Sequence, residues 1–240
     1  MLQIKNLNVE AESTSILKNI NLTFEEGKNY CIVGKNWSGK SSLAMTIMWH
    51  PKYTVTDGEI KIDSKAINKL SPHERSQLGI FLAFQHIPEI KGVKLFEFLK
   101  SIYDTKREKK TSFLEFKKII EPLLAELKIE KDFLWRDINV GFSGGERRKT
   151  EILQIKLLEP KYIFLDEVDS WLDVDAFNDI AKHISEVNNG KNCLIVITHL
   201  FKIVDNLPID TVHVIKQWEI IKSWDHSLMK KITKEGFEKL

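Results

Sequence analysis

Eight consecutive residues, Gly34-Lys35-Asn36-Trp37-Ser38-Gly39-Lys40-Ser41, satisfy the spacing G-x-x-x-x-G-K-[ST]. Glycines so placed let successive backbone N–H groups turn inward on an anion, and a helix opening at Lys40 adds its N-terminus to the same charge. The chemistry implied is phosphate binding. Lys40 is placed to bridge the β- and γ-phosphates of a nucleotide and Ser41 to ligate Mg²⁺. Gly34, Lys35, Asn36, Trp37, Ser38, Gly39, Lys40, Ser41 and Ser42 are the expected nucleotide contacts.

A second half is needed, and Tyr162-Ile163-Phe164-Leu165-Asp166-Glu167 supplies it. Four apolar residues put Asp166 at the C-terminal end of a buried strand, where open sheets hold ligands. Asp166 can hold the Mg²⁺ shell, and Glu167 suits a general base acting on the attacking water. Between the halves lies Gly141-Phe142-Ser143-Gly144-Gly145-Glu146, then Arg147-Arg148-Lys149. Serine and two glycines before a helix expose N–H donors to an anion, although a loop with an ordinary helix cap reads the same way. Sequence alone leaves open whether this loop meets the same phosphates or those of a second copy. Gln85 ends the apolar run Gly79–Phe84, where its amide can reach both Mg²⁺ and water. His199 follows Cys193–Thr198, where an imidazole can sense a γ-phosphate. For both, a polar residue at a strand end is the plainer alternative.

These residues need an α/β scaffold. KNYCIVG reads as a buried strand feeding the loop, Lys40–Met48 as the helix after it, and Tyr162–Leu165 and Cys193–Ile197 as further buried strands. LQIKNLNVE and KNINLTF give two short strands, GEIKID another opened by a turn at Asp57-Gly58, and TVHVIK with EIIKS a closing pair before a helical tail. Residues 94–130 read as helical, with solvated basic turns at 105–110, and helices follow near 144–158 and 173–187. The order implies parallel strands interrupted by a helical insert. One domain over 1–240 is expected, with a core lobe from about 1–90 and 159–240 and a helical lobe from about 91–158.

The bulk numbers exclude more than they assign. Thirty-six Lys and Arg against 34 Asp and Glu leave a formal charge of +2, which gives nucleic acid no electrostatic footprint. No stretch approaches the apolar length of a membrane span, and the first residues carry no signal-peptide pattern. Cys31 and Cys193, both in apolar runs, read as buried thiols of a reducing, cytoplasmic compartment.

Together these residues resemble the nucleotide-binding subunits of ABC-type ATPases. Gly34–Ser41 is similar to their Walker A, Gln85 to the Q-loop glutamine and Phe142–Glu146 to the signature motif. Asp166 and Glu167 are similar to Walker B and its glutamate, Asp169–Asp173 to the D-loop, and His199 to the switch histidine. Within that family FLAFQHIPEIKGV at 81–93, NVGFSGGERRKTEILQ at 139–154, LLEP at 157–160 and DEVDSWLDVDA at 166–176 resemble the SufC-like branch, the soluble ATPases of iron–sulfur cluster assembly. The resemblance implies an α/β P-loop fold with an antiparallel β subdomain and a helical subdomain. It implies ATP and Mg²⁺ as ligands, and a transient head-to-tail dimer in which Ser143, Gly144, Gly145 and Glu146 of one copy close on the ATP of the other. It also implies SufB-like and SufD-like scaffold partners, whose cysteines rather than these two would hold the cluster. Two other readings stay open, an ATPase subunit of a membrane transporter and a non-hydrolysing regulatory protein.

Trp37, Trp49, Trp171, Trp218 and Trp224 depart from this pattern, each standing where the family has glycine; Trp135 does not. An indole in the phosphate loop is expected to compete with nucleotide for space, and a tight turn wants glycine. Glycine is also scarce, 11 of 240 residues, and six more would restore the usual share of about 7%. The expectation is that UGA codons, which some bacterial lineages read as glycine, stand behind these tryptophans.

Overall fold

A computed structural model of the 240-residue chain describes all residues except 169–171, 199–206, 226 and 229–240, together with the side chain of Val174. Two compact units account for it: residues 1–84, 160–169 and 188–240 in the first, residues 85–159 and 170–187 in the second.

The first unit holds two sheets. One is antiparallel in the order β2-β1-β4-β5, built from β1 (Leu2–Ala11), β2 (Thr14–Phe24), β4 (Thr54–Ile62) and β5 (Lys65–Ala66). Its strands alternate buried Leu2, Ile4, Leu17, Ile20, Leu22 and Phe24 with exposed polar residues, as a sheet covered on one face requires. The two short strands expected at the start are a long hairpin. The turn expected at Asp57-Gly58 is instead an irregularity inside β4, where the register to β1 shifts. Gly58 makes it possible: its φ is +86°, and a Cβ there would lie 2.4 Å from the Asn6 carbonyl oxygen.

The second sheet runs β12-β11-β3-β10-β9-β6, from β3 (Asn29–Val33), β6 (Ile80–Ala83), β9 (Tyr162–Asp166), β10 (Cys193–Thr198), β11 (Thr211–Lys216) and β12 (Glu219–Trp224). Every pairing from β11 to β6 is parallel, and only β12 returns antiparallel. All residues of β3, β9 and β10 are buried, so these strands read as continuous apolar runs. Helix α1 (Lys40–Ile47) connects β3 to the antiparallel sheet, and Leu43, Ala44 and Ile47 join the core shared by both sheets. The short α2 (Pro72–Gln77) leads into β6. Both cysteines are buried, and burial pushes the Cys193 thiol up.

The second unit is mainly helical: α3 (Leu95–Arg107), α4 (Phe113–Glu126), α5 (Gly144–Leu158) and α6 (Val174–Val187), with a 3-10 turn at Lys131–Trp135. It includes a two-stranded ribbon that the sequence does not announce, β7 (Ile90–Lys94) with β8 (Asp137–Ile138). Helix α6, expected with the core lobe, clusters with α5 through the Lys149–Asp179 ion pair at 2.9 Å. The basic stretch near 105–110 falls at the α3 C-terminus and the link to α4, as a solvated helix end. Ser71, Ser112 and Ser143 each cap a helix in a reciprocal box with a glutamate three residues on. No helix among the described residues is long and apolar enough to cross a membrane.

Candidate functional site

The loop between β3 and α1 is held by short-range physics. Gly39 is the α1 N-cap, with φ 106° and no side-chain cap, so the first N–H groups of the helix stay available. Gly34 cannot carry a side chain, since a Cβ would lie 2.4 Å from the Ile215 carbonyl oxygen and 2.7 Å from Ser38 Oγ. Ser38 Oγ is itself buried without a hydrogen-bond partner among the described residues. A phosphate oxygen is the kind of acceptor it lacks.

Lys40 is buried, and its ammonium donates to the Gly34 and Lys35 carbonyls at 3.0 Å each. Burial lowers its pKa, while the carboxylates of Glu167 and Asp166 oppose that shift. The electrostatics therefore link the loop to the end of β9. The bond between Ser41 Oγ, which donates, and Asp166 Oδ1 makes the link at 3.0 Å. A hydroxyl and a carboxylate are hard oxygen donors suited to Mg²⁺, which takes one or two protein ligands and completes its shell with water and phosphate. Among the described residues no three His, Cys, Asp or Glu side chains form a cage of their own.

Glu167 is buried with 7% exposure and adopts a left-handed φ of 46°. Its N–H donates to the Ile197 carbonyl at 2.9 Å, so the residue turns sharply off the sheet at the point where β9 ends. A non-glycine residue held this way stores strain of about 1–3 kcal/mol, which is common at functional sites.

In the helical unit, Ser143 Oγ accepts the Glu146 N–H at 3.3 Å and Glu146 Oε2 accepts the Ser143 N–H at 2.7 Å. Ser143 and Glu146 thus form a helix cap locally, with Gly144 and Gly145 in the first turn of α5. Gln85 follows β6 by two residues, and its carbonyl accepts from Arg148 at 3.2 Å. Arg148 in turn pairs with Glu151 at 2.7 Å, both nearly inaccessible. A cavity of about 270 Å³ is lined by Gln85, His86, Phe142, Gly144, Arg147 and Arg148. The sequence did not single out the Arg148–Glu151 pair, since nothing in a basic run marks which member turns inward.

Two expectations shift. His199, and Asp169 to Trp171 of the expected D-loop, lie outside the described residues, as does the C-terminal tail. Trp37 does not fill the loop: its side chain is 94% exposed and faces a cavity of about 330 Å³ shared with Lys35, Asn36, Lys216, Gln217 and Trp218. Its backbone, at φ 67°, lies in the left-handed region that favours glycine.

A residue the sequence does not flag is Arg75. Its guanidinium is 1% exposed and donates to five carbonyls, of Thr46, Ile47, Ile67, Asn68 and Leu70, at 2.6–3.2 Å. Two of these close α1, so Arg75 fixes the far end of the helix that begins at the phosphate loop. Its acceptors are all backbone, which no residue pattern records.

The chain matches the family model described as ABC transporter over residues 17–170. It is 41% identical over 244 residues to a probable ATP-dependent transporter, ycf16, of Antithamnion sp., covering 100% of this chain and 97% of that one. It is 39% identical over 241 residues to the probable ATP-dependent transporter SufC of Escherichia coli, covering 99% and 97%. Among solved structures it is similar to a dimeric ATP-binding cassette in a post-hydrolysis state with ADP and Pi, at TM-score 0.80 and 22% identity over 94% of this chain and 98% of that one. A nucleotide-free cassette from an ABC transporter gives TM-score 0.78 at 23% identity, over 98% and 95%. At those identities the structures establish the fold.

Proposed function

The chain belongs to the ABC transporter ATPase family, in the branch that includes SufC and ycf16, and we propose that it hydrolyses ATP to drive a SUF-type scaffold during iron–sulfur cluster assembly. The observation that carries the ATPase reading is the Ser41–Asp166 contact, which unites the loop at Gly34–Ser41 with the acidic end of β9. In this reading the loop N–H groups and Lys40 hold the β- and γ-phosphates. Ser41 and Asp166 hold Mg²⁺, with Gln85 as a further ligand. The cation, when bound, neutralises charge developing on the phosphates. Glu167 accepts the proton of the attacking water, and His199 contacts the γ-phosphate.

Two copies face each other head to tail in this proposal. Ser143, Gly144, Gly145 and Glu146 of one copy meet the ATP held by Lys40 of the other, and the Ser143–Glu146 cap opens to free the Ser143 N–H. SufB-like and SufD-like proteins dock on the helical unit near Gln85, so that closure remodels them. Support comes from the identity to SufC along nearly the full length of both chains. The printed description of the relatives as probable ATP-dependent transporters favours a second reading, an ATPase subunit serving a membrane permease.

The experiment is affinity purification of the tagged protein from its own cells, with ATPase assays on the complex recovered. Soluble SufB-like and SufD-like chains that raise ATP turnover are the expected result. Recovery of a membrane permease in their place overturns the SUF assignment, and absence of any Mg²⁺-dependent turnover overturns the ATPase.

A further inference from the structure

We propose that the native polypeptide carries glycine, not tryptophan, at positions 37, 49 and 218, its gene having UGA codons there that the cell reads as glycine. The backbone carries this inference without appeal to any relative. Helix α1 ends in a Schellman motif: the Trp49 N–H donates to the Thr46 carbonyl and the His50 N–H to the Met45 carbonyl, both at 3.0 Å. With Met48 as the C-cap, Trp49 is the residue just past it, and its φ is 60°. Glycine dominates that position because a Cβ in the left-handed region crowds the carbonyl that follows. Pro51 comes two residues later, where such helix ends often place it.

The second site is the hairpin of β11 and β12. Only Gln217 and Trp218 separate the paired Lys216 and Glu219, and their φ values are 50° and 71°. Two successive positive φ values make a type I′ turn, for which Asn-Gly and Asp-Gly are the preferred pairs. Trp218 holds the place of that glycine. The third site is Trp37 in the phosphate loop, at φ 67°.

Other non-glycine residues of the described chain adopt positive φ, but all are polar or charged: Asn, Asp, Ser, Glu, Gln and Lys. No Val, Ile, Leu, Met, Phe or Tyr does so, whereas three of the five described tryptophans do. Arg75 lies over the Trp49 ring and Lys18 over the Trp218 ring, each at 4.9 Å, but such contacts form on any accessible aromatic ring and do not require a left-handed backbone. What the three sites share is a backbone suited to glycine. Three independent replacements by drift would draw on different residue types, while one codon assignment yields one residue type. Trp135 behaves otherwise: its backbone is ordinary, and its ring stacks on Phe96 at 5.1 Å and Phe113 at 6.1 Å. It lies outside the proposal, as does Trp224, which sits in β12 without a positive φ.

Sequencing the gene and mapping peptides by mass spectrometry, on protein isolated from its own cells, test this directly. UGA codons at 37, 49 and 218, with glycine in the corresponding peptides, are the expected result. UGG codons there, or peptides containing tryptophan, overturn it. Neither readout depends on ATP turnover or on partners, so the outcome is independent of the proposed function.

Discussion

Ser41 Oγ donates to Asp166 Oδ1 at 3.0 Å although 125 positions separate the two residues. The parallel pairing of β3 and β9 on either side of β10 produces this contact, by bringing the loop after one strand next to the end of the other. The proposed Mg²⁺ site depends on it, and so does the first prediction.

Asp166→Asn keeps the hydrogen bond to Ser41 and removes the negative charge. We expect Mg²⁺-dependent ATP turnover to fall by about a hundredfold or more, since Asp166 is the only charged donor among the proposed protein ligands to the cation. Steady-state assays across a Mg²⁺ titration check this, and an unchanged Mg²⁺ dependence contradicts the assignment.

Glu167→Gln removes the proposed base while keeping the side-chain shape. Turnover should drop by about 10²–10⁴-fold with nucleotide binding retained. Single-turnover kinetics and equilibrium binding on one preparation separate the two effects, and a variant with full turnover shows that Glu167 is not the base.

Arg75→Leu leaves the carbonyls of Thr46 and Ile47 without the donor that holds them. Losing a buried donor to several carbonyls costs about 3 kcal/mol, which should lower the urea midpoint without changing the slope. Arg75→Lys should recover little of it, because one ammonium cannot span acceptors spread around a planar guanidinium.

Trp49→Gly and Trp218→Gly relieve left-handed backbone at a helix end and a hairpin turn. Each should stabilise the tryptophan-containing protein by about 1 kcal/mol, less what the stacks with Arg75 and Lys18, each 4.9 Å from its ring centroid, contribute. In a chain of this size the double variant should melt higher by about 2–6 °C by calorimetry.

His213 should make the core sensitive to acid. It is buried, stacked on Tyr30 at 5.7 Å, with Nδ1 at 2.7 Å from Ser223 Oγ and Nε2 lacking a hydrogen-bond partner among the described residues. Burial pushes its pKa down to about 4 from an ordinary 6.5. The unfolded chain therefore binds the proton first, so the His213 contribution is fully present above pH 6.5 and is lost as pH falls toward 4. The loss amounts to about 3 kcal/mol. Urea unfolding at a series of pH values should show this slope, and His213→Gln should flatten it.

The sequence by itself determined the chemistry and the family. Gly34, Lys40, Ser41, Asp166 and Glu167 are recognisable because phosphate binding imposes short, local spacings, and the buried strands because parallel sheets demand unbroken apolar runs. The ribbon of β7 and β8 was not legible, since Ile90–Lys94 is exposed throughout and carries no alternation. Nor was the role of Asp57-Gly58, where the same dipeptide serves a turn or a bulge according to the strand beside it. Only the tertiary structure decided that Ser41 meets Asp166 and that Arg75 directs its donors to the end of α1. It also decided which tryptophans stand on left-handed backbone. These are matters of register, carbonyl position and φ, which arise when distant segments pack and leave no mark in the order of side chains.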